Sequence, residues 1–464
     1  MAIFDRSALN EGVRGREVLA WSSYDFANSG YTTVVLTAVF NAYFVGVVAD
    51  GADWGTLAWT GILGLSNLAV LLTMPAIGAL ADRHAAKKRL LGIATLGCVV
   101  ATTGLAWCGR GDMALAMVLI VISNYFYAMG DTLCGAFLPE IARPAALGRV
   151  SGWGWSFGYL GGMLALGLSL AYVISAQAAG AVAEQFVPVT MIITAAIYLM
   201  AALPIFLVLR ERAQPQLAAV PGGIVADGAA RPVAGWLGSL IDLRESARRT
   251  AAFPDFRRLL WTGAAYQAGI SVVIALAAVY AEQVMGFAQQ ETMALVFLVN
   301  IAAAAGAFLF GYAEDRIGHK PALAVTLVAW IVMVLVASFT STRELFWLAA
   351  TLAGLCMGSS QSCGRALVGV LAPAGRQAEF YGLWAFATRV AAVIGPLTYG
   401  LVSWATAGNH RLAFLSTGVF FVLGLVFLAR LDLIRGARAA AIEARPGQAV
   451  LPGLPSAAQA PIQF

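Results

Sequence analysis

Charged side chains are scarce in this sequence. They make up 11% of its 464 residues, where a soluble domain carries about a quarter. Histidine is nearly absent: His84, His319 and His410 sit at segment ends and form no metal constellation. The five cysteines, Cys98, Cys108, Cys134, Cys356 and Cys363, form no CxxC and lie in or beside apolar runs, as small packing residues do. There is no HExxH, no Walker-type phosphate loop and no nucleophile–base pair, so neither an enzyme nor ATP-driven transport within the chain is indicated. No cofactor or metal is expected. The first residues, MAIFDRSALNEGVRGREVLA, are polar and unlike a cleavable leader, so the first apolar run is expected to stay in place as its own insertion signal.

In place of charge the chain carries long apolar runs. Hydrophobic residues make up 60% and the mean hydropathy is +0.79. A bilayer accounts for this, because its interior tolerates few ionised groups. Taking about 20 apolar residues per crossing, spans are expected near 20–48, 57–80, 90–108, 113–138, 151–176 and 186–209. A second set is expected near 258–282, 291–312, 321–340, 344–371, 379–405 and 411–430. With the N-terminus inside, only Arg110, Arg343 and Arg411 fall in outer loops, and only Arg365 and Arg389 fall inside spans. All other Lys and Arg lie on one side, which points to cytoplasmic termini in a multi-pass protein of the cell's inner membrane. The net charge of +5 therefore faces anionic lipid rather than nucleic acid.

The expected organisation is a six-helix bundle over 1–209, a cytoplasmic linker over 210–256, a second six-helix bundle over 257–434 and a disordered tail over 435–464. The linker opens Pro- and Gly-rich. It then places Trp236, Leu240 and Leu243 on one helical stripe ahead of Arg244, Arg248 and Arg249, the pattern of a short amphipathic helix on the membrane surface.

The two bundles repeat one another. Gly78, Asp82, Arg83 and Lys87 in GALADRHAAK recur as Gly311, Asp315, Arg316 and Lys320 in GYAEDRIGHK. Glycine permits close helix approach, and Asp and Arg can pair between neighbouring helix ends. These six Gly, Asp and Arg residues are read as a conformational latch. Ordinary positive-inside charge would explain the Arg residues but not the Asp.

Ionisable residues within spans are costly and mark function by default. Four stand out: Asp25, Asp131, Arg365 and Arg389. Asp25 lies about 9 Å inside span one at 1.5 Å per residue, on a stripe with Ser22, Asn28, Ser29 and Thr32. Asp131 shares a face with Asn124 and Tyr127. It occupies the repeat position of Arg365, so the two are expected to face each other across the halves. Gln361 lies one turn from Arg365, and span seven supplies Gln267. Asp25, Asn28, Asp131, Gln267, Gln361, Arg365 and Arg389 are the candidate substrate or coupling-ion site. Static buried pairs that only set helix packing would use the same residue types. Glu140 is expected to pair at the rim beside Arg143 and Arg149. Gly154, Gly158 and Gly162 read as a helix-packing series.

The duplicated loops resemble the signature of the major facilitator superfamily, with Ala85 and Ala86 in place of its usual glycine and first basic residue. WSSYDFANSGYTTVVLTAVF in the first span, AFLPEIA, GRVSGWGWSFGYLGG and EFYGLWAFATRVAAVIGP resemble the vacuolar amino-acid effluxer (autophagy-related permease) family and its bacterial relatives. Gly135, Gly364 and Ala366 depart from that family's pattern where substrate would be read. The resemblance implies an all-α membrane protein of twelve-span major facilitator fold, with two parallel six-helix repeats around a central cavity lined by spans one, four, seven and ten. It implies a secondary transporter, acting as a monomer, that exports a small polar solute such as an amino acid by alternating access. Proton coupling is expected through an Asp moving between burial and an Arg partner. A zwitterion's ammonium would go to Asp25 or Asp131 and its carboxylate to Arg365. A membrane sensor or a lipid-handling protein on a transporter scaffold remains open.

Overall fold

The computed structural model describes residues 5–51, 54–213 and 250–443. Long helices dominate, and among the described residues the one β-feature is an isolated bridge between Leu9 and Ala142. The first six are α1 (Gly15–Tyr31), α2 (Gly55–Arg83), α3 (Lys87–Gly104), α4 (Met113–Gly135), α5 (Leu147–Ala178) and α6 (Ala183–Val208). The second six are α7 (Pro254–Gln283), α8 (Gln289–Ile317), α9 (His319–Phe339), α10 (Arg343–Leu371), α11 (Gln377–Ala405) and α12 (His410–Ala429, broken at Thr417). A shorter α13 (Leu433–Glu443) follows. Eleven of the twelve are apolar enough to cross a bilayer by length and composition alone. The exception is α10, whose polar run Ser359, Ser360, Gln361, Ser362 and Arg365 lowers its hydropathy.

The packing follows the repeat. Helix α1 packs on α5 and α6, and α7 packs on α11 and α12. Helix α4 packs on α2 and α3 as α10 packs on α8 and α9. Two extensive pairings join the halves, α2 with α11 and α5 with α8, and α5 also meets α10. These crossings are close because glycine removes the side chain. A Cβ on Gly78 would strike the carbonyl of Ala378, one on Gly382 that of Met74, and one on Gly152 that of Ala307. Without a hydrophobic drive inside lipid, such backbone approach supplies the packing contact between spans.

Helix α1 does not run straight through the membrane. It loosens to π-helical turns over Thr32–Ala38 and Phe44–Val48 with a short α segment between, beginning at the β-branched run Thr32–Val35. Pro75, Pro188, Pro204 and Pro396 sit inside α2, α6 and α11, where each removes a backbone donor. Leu57, Val100, Leu207, Phe339 and Trp404 are among the exposed large apolar side chains that cover the outer surface, as a lipid-facing belt requires.

At the end carrying the N-terminus of α1, hereafter the basic rim, the chain ties itself under the first half. Glu211 accepts from the backbone N–H groups of Lys87 (2.8 Å) and Lys88 (3.0 Å) at the start of α3. Burial raises its pKa above the usual carboxylate value. The amphipathic helix expected from Trp236 to Arg249 lies outside the described residues. The tail expected to be disordered from 435 onward is helical to Glu443. Gly436 fits against Leu371 and Asp255, and Arg435 forms a fork on Asp255 at 2.7 Å through both Nε and Nη2. Residues 444–464 lie outside the described residues.

Candidate functional site

The candidate polar residues converge where the two halves meet. Arg365 of α10 donates from Nη1 to Asp25 Oδ2 of α1 at 2.7 Å. Its Nε donates to Ser151 Oγ of α5 at 3.1 Å and its Nη2 to the Ser151 carbonyl at 2.9 Å. The guanidinium lies between two indole faces, 4.7 Å from the Trp21 centroid and 5.3 Å from that of Trp155. Both ionised groups are buried. Cation–π contact and three hydrogen bonds replace the water the guanidinium has lost. Gly154 makes the room, since a Cβ there would collide with the Asp25 carboxylate and the Arg365 guanidinium. Tyr381 of α11 donates to the Arg365 carbonyl at 2.8 Å and fixes α10 at this level.

One helical turn, about 5 Å, farther from the basic rim lies a second layer. Asn28 Nδ2 donates to Asp131 Oδ1 of α4 at 3.4 Å, and Asn28 Oδ1 accepts from the Tyr198 hydroxyl of α6 at 2.8 Å. Gln267 of α7 donates to Gln361 of α10 at 2.6 Å. Arg389 of α11 donates to Asn67 of α2 at 3.3 Å and lies 5.9 Å from the Tyr127 ring centroid. Asp131 is within electrostatic reach of Asp25, Arg389 and Arg365. Asp131, Tyr127, Gln361 and Arg389 are half-exposed although they lie well inside their helices. Their polar neighbours lie where the two halves meet.

The structure thus brings the seven candidates together in a different pairing from the one expected. Asp131 and Arg365 occupy equivalent repeat positions, but Arg365 pairs with Asp25. Pseudo-symmetry places α4 and α10 equivalently about an axis, while the contact across that axis reaches α10 from α1 and α5. Ser151, Trp21, Trp155 and Tyr198 were not among the candidates. Trp21 and Trp155 lie inside the quoted motifs, and an intramembrane guanidinium needing an aromatic cover was the signal that could have found them.

The latch residues divide. Asp82 accepts from the backbone N–H of Glu379, at the start of α11, at 2.9 Å. Asp315 accepts from the backbone N–H of Arg149, at the start of α5, at 3.2 Å and from its Nε at 3.0 Å. Each carboxylate therefore sits at a helix N-terminus of the opposite half, where the helix dipole favours negative charge. Gly311 lets α8 approach the Gly148 carbonyl, as Gly78 lets α2 approach α11. The motif arginines, Arg83 and Arg316, are exposed and make no such bond. The cations beside the two Asp are instead Lys87, 3.4 Å from Asp82, and Arg149. Glu140 is a rim ion pair, but its partner is Lys87 at 2.8 Å rather than Arg143 or Arg149. These cross-half contacts cluster between the basic rim and the level of Arg389. At the basic rim the two halves are therefore in direct contact.

The family described as "Vacuole effluxer Atg22 like" matches residues 60–441. The MFS-type transporter YxiO of Bacillus subtilis is 24% identical over 425 residues, covering 88% of this chain and 93% of that protein. Autophagy-related protein 22 of Cryptococcus neoformans is 31% identical over 180 residues, 35% of this chain and 31% of its own length. Among solved structures, the proton:xylose symporter XylE superposes with a TM-score of 0.70 at 15% identity, covering 92% of this chain and 98% of that one. The human organic anion transporter MFSD10 (TETRAN) superposes with a TM-score of 0.68 at 16% identity, covering 89% and 99%. The fold is the twelve-span major facilitator fold, and these relatives and neighbours are transporters, not enzymes.

Proposed function

The chain belongs to the Atg22-like vacuole effluxer family of major facilitator transporters, and we propose that it exports a small zwitterionic solute of the amino-acid class, by alternating access, in exchange for protons. One observation carries the reading: the Asp25–Arg365 pair joins the two halves within electrostatic reach of Asp131, which Arg389 also neighbours. A buried pair that crosses a moving interface must break once per cycle. Asp25 can release Arg365 in two ways. A proton neutralises the carboxylate, or a solute carboxylate takes its place in the guanidinium fork. The solute ammonium then goes to Asp131, oriented by Asn28 and Tyr198. Either event releases the pair without the other, so the carrier crosses loaded with a proton or with the solute, and an inward proton gradient drives the solute outward. If both termini are cytoplasmic, contact of the halves at the basic rim corresponds to an outward-facing state.

The test is counterflow and gradient-driven flux of a labelled amino-acid panel in proteoliposomes. Arg365→Ala, confirmed folded by size exclusion, is expected to lose flux by roughly tenfold or more, as truncating one member of a buried charge pair does. Asp25→Asn is expected to retain counterflow but lose its response to an imposed pH gradient. Wild-type, gradient-dependent flux in both Asp25→Asn and Asp131→Asn would sink carboxylate coupling. No amino-acid flux in folded wild-type protein would move the search to other polar solutes.

A further inference from the structure

At the basic rim of the second half, a cleft opens where α12 ends. It is lined by Arg258 of α7, Lys320 of α9, and Arg430, Leu431, Asp432 and Arg435 at the α12–α13 turn. Asp255 behind it takes Arg435 at 2.7 Å and Arg258 at 2.7 Å, and Asp432 lies 4.0 Å from Arg435, so two carboxylates offset those two cations. Lys320 pairs with no carboxylate among the described residues. Its Nζ donates to the carbonyls of Ala429 at 3.1 Å and Leu431 at 2.7 Å. The Arg430 residue is exposed, and its side chain has no hydrogen-bond or ion-pair partner among the described residues.

The repeat sharpens the point. Lys87, the equivalent of Lys320 in the first half, is fully buried between Asp82 and Glu140. The same position is neutralised in one half and left cationic over a cleft in the other. Ile434 lines this cleft, and the surface beside it is apolar. Ile434 is 52% exposed and Ile442 76% on the outward side of α13, and Trp261 is 62% exposed one turn above Arg258. Gly436 and Ala440 face inward.

We propose that this cleft binds the headgroup of an anionic phospholipid from the leaflet at the basic rim. The phosphate would sit on Lys320 and Arg430, and the acyl chains would descend along Trp261 and the apolar flank of α12. Cations at the end of a span beside exposed apolar side chains match a phosphate carrying hydrocarbon better than a free phosphate, which gains nothing from the apolar surface. The site lies apart from the Asp25–Arg365 pair, and its occupancy does not depend on which solute is carried.

The experiment is native mass spectrometry of the full chain in neutral detergent, titrated with phosphatidylglycerol and separately with phosphatidylcholine. Saturable binding of one phosphatidylglycerol in preference to phosphatidylcholine is expected. Arg430→Gln should weaken it by about fivefold, and the pair Lys320→Gln with Arg430→Gln by about thirtyfold, at the usual contribution of one cation near anionic lipid. Arg430→Gln carries no folding risk because the side chain holds nothing, so its result stands if the double variant is unstable. Arg16→Gln with Arg89→Gln removes two exposed cations on the same rim of the first half and should leave binding unchanged. Equal binding of the two lipids, or unchanged phosphatidylglycerol binding in Arg430→Gln and the double variant, overturns the proposal. So does competition by glycerol 1-phosphate as effective as by the lipid, which would make the cleft a soluble-anion site.

Discussion

The two rim contacts that close this molecule grow from one duplicated motif and are wired differently. In the α2–α11 contact, the cation beside Asp82 comes from its own loop. Lys87 holds Asp82 and Glu140 of the first half and donates to Gln377 Oε1 of the second at 3.2 Å. In the α5–α8 contact, the cation beside Asp315 comes from the opposite half. Arg149 also reaches Asp5 at 3.1 Å, and hydrogen bonds from Ser7, with this guanidinium nearby, lower the Asp5 pKa below its usual value. The first contact is thus a charge cluster within one half that reaches its neighbour through hydrogen bonds to uncharged groups, the Glu379 N–H and the Gln377 amide. The second is an ion pair across the moving interface. A motif duplicated in sequence need not be duplicated in mechanism: the first copy holds a half together, and the second holds the halves to each other.

The largest test of this contrast is the duplicated lysine. Lys87→Met leaves Asp82 and Glu140 buried without a cation, and breaking such a cluster costs about 3–5 kcal/mol. Lys320→Met removes only hydrogen bonds to two carbonyls and is expected to cost about 1 kcal/mol. Thermal unfolding in detergent compares the two. Equal losses would show that burial of Lys87 contributes no more than a helix-end contact.

A smaller effect separates the two aspartates. In Asp82→Asn the new amide would still offer an oxygen to the Glu379 N–H, and Lys87 would keep Glu140. In Asp315→Asn the Arg149 guanidinium would face an uncharged amide across the interface. Asp315→Asn is therefore expected to open the rim more than Asp82→Asn, shifting the closed population by roughly tenfold for a partly buried pair. Spin labels at the exposed positions 83 and 316, measured by pulsed electron resonance, report the distance. A larger opening in Asp82→Asn would reverse the assignment of the interfacial ion pair.

The sequence made the fold legible because a bilayer filters composition harshly. Twelve apolar runs could be read, including α10, whose polar face marked it as a cavity helix. The same filter exposed Asp25, Asp131, Arg365 and Arg389, since ionised groups have few reasons to be there. Pairing was not legible. The repeat offset equates positions within the halves, whereas Arg365 meets Asp25 and Ser151 through the contact between them. The motif arginines looked like latch partners because they adjoin the Asp in sequence. At a helix end, adjacent side chains diverge, and Lys87 and Arg149 reach the carboxylates instead. Helix α13 was missed although its Ala and Arg residues favour helix, because its anchor, Asp255, is distant in sequence.

The smallest expected effect concerns the turn between the motif's two helices. Gly318 has φ of 90° and Ala85, its equivalent, φ of 47°. Ala85 lies in the left-handed region, which alanine enters at a cost of about 1–2 kcal/mol, whereas Gly318, with ψ of 152°, lies in a region essentially confined to glycine. The first copy carries that strain at the turn leading into Lys87. Ala85→Gly should relieve it and raise stability by about 1 kcal/mol, less the added freedom of the unfolded chain. Gly318→Ala should lower stability by at least that amount. Thermal unfolding of the two single variants and their combination would check this. The combination should fall at or below wild type, because the turns share no partner and distant effects add. Loss of stability in Ala85→Gly would mean that the alanine methyl contributes packing beneath the first rim that outweighs its backbone strain.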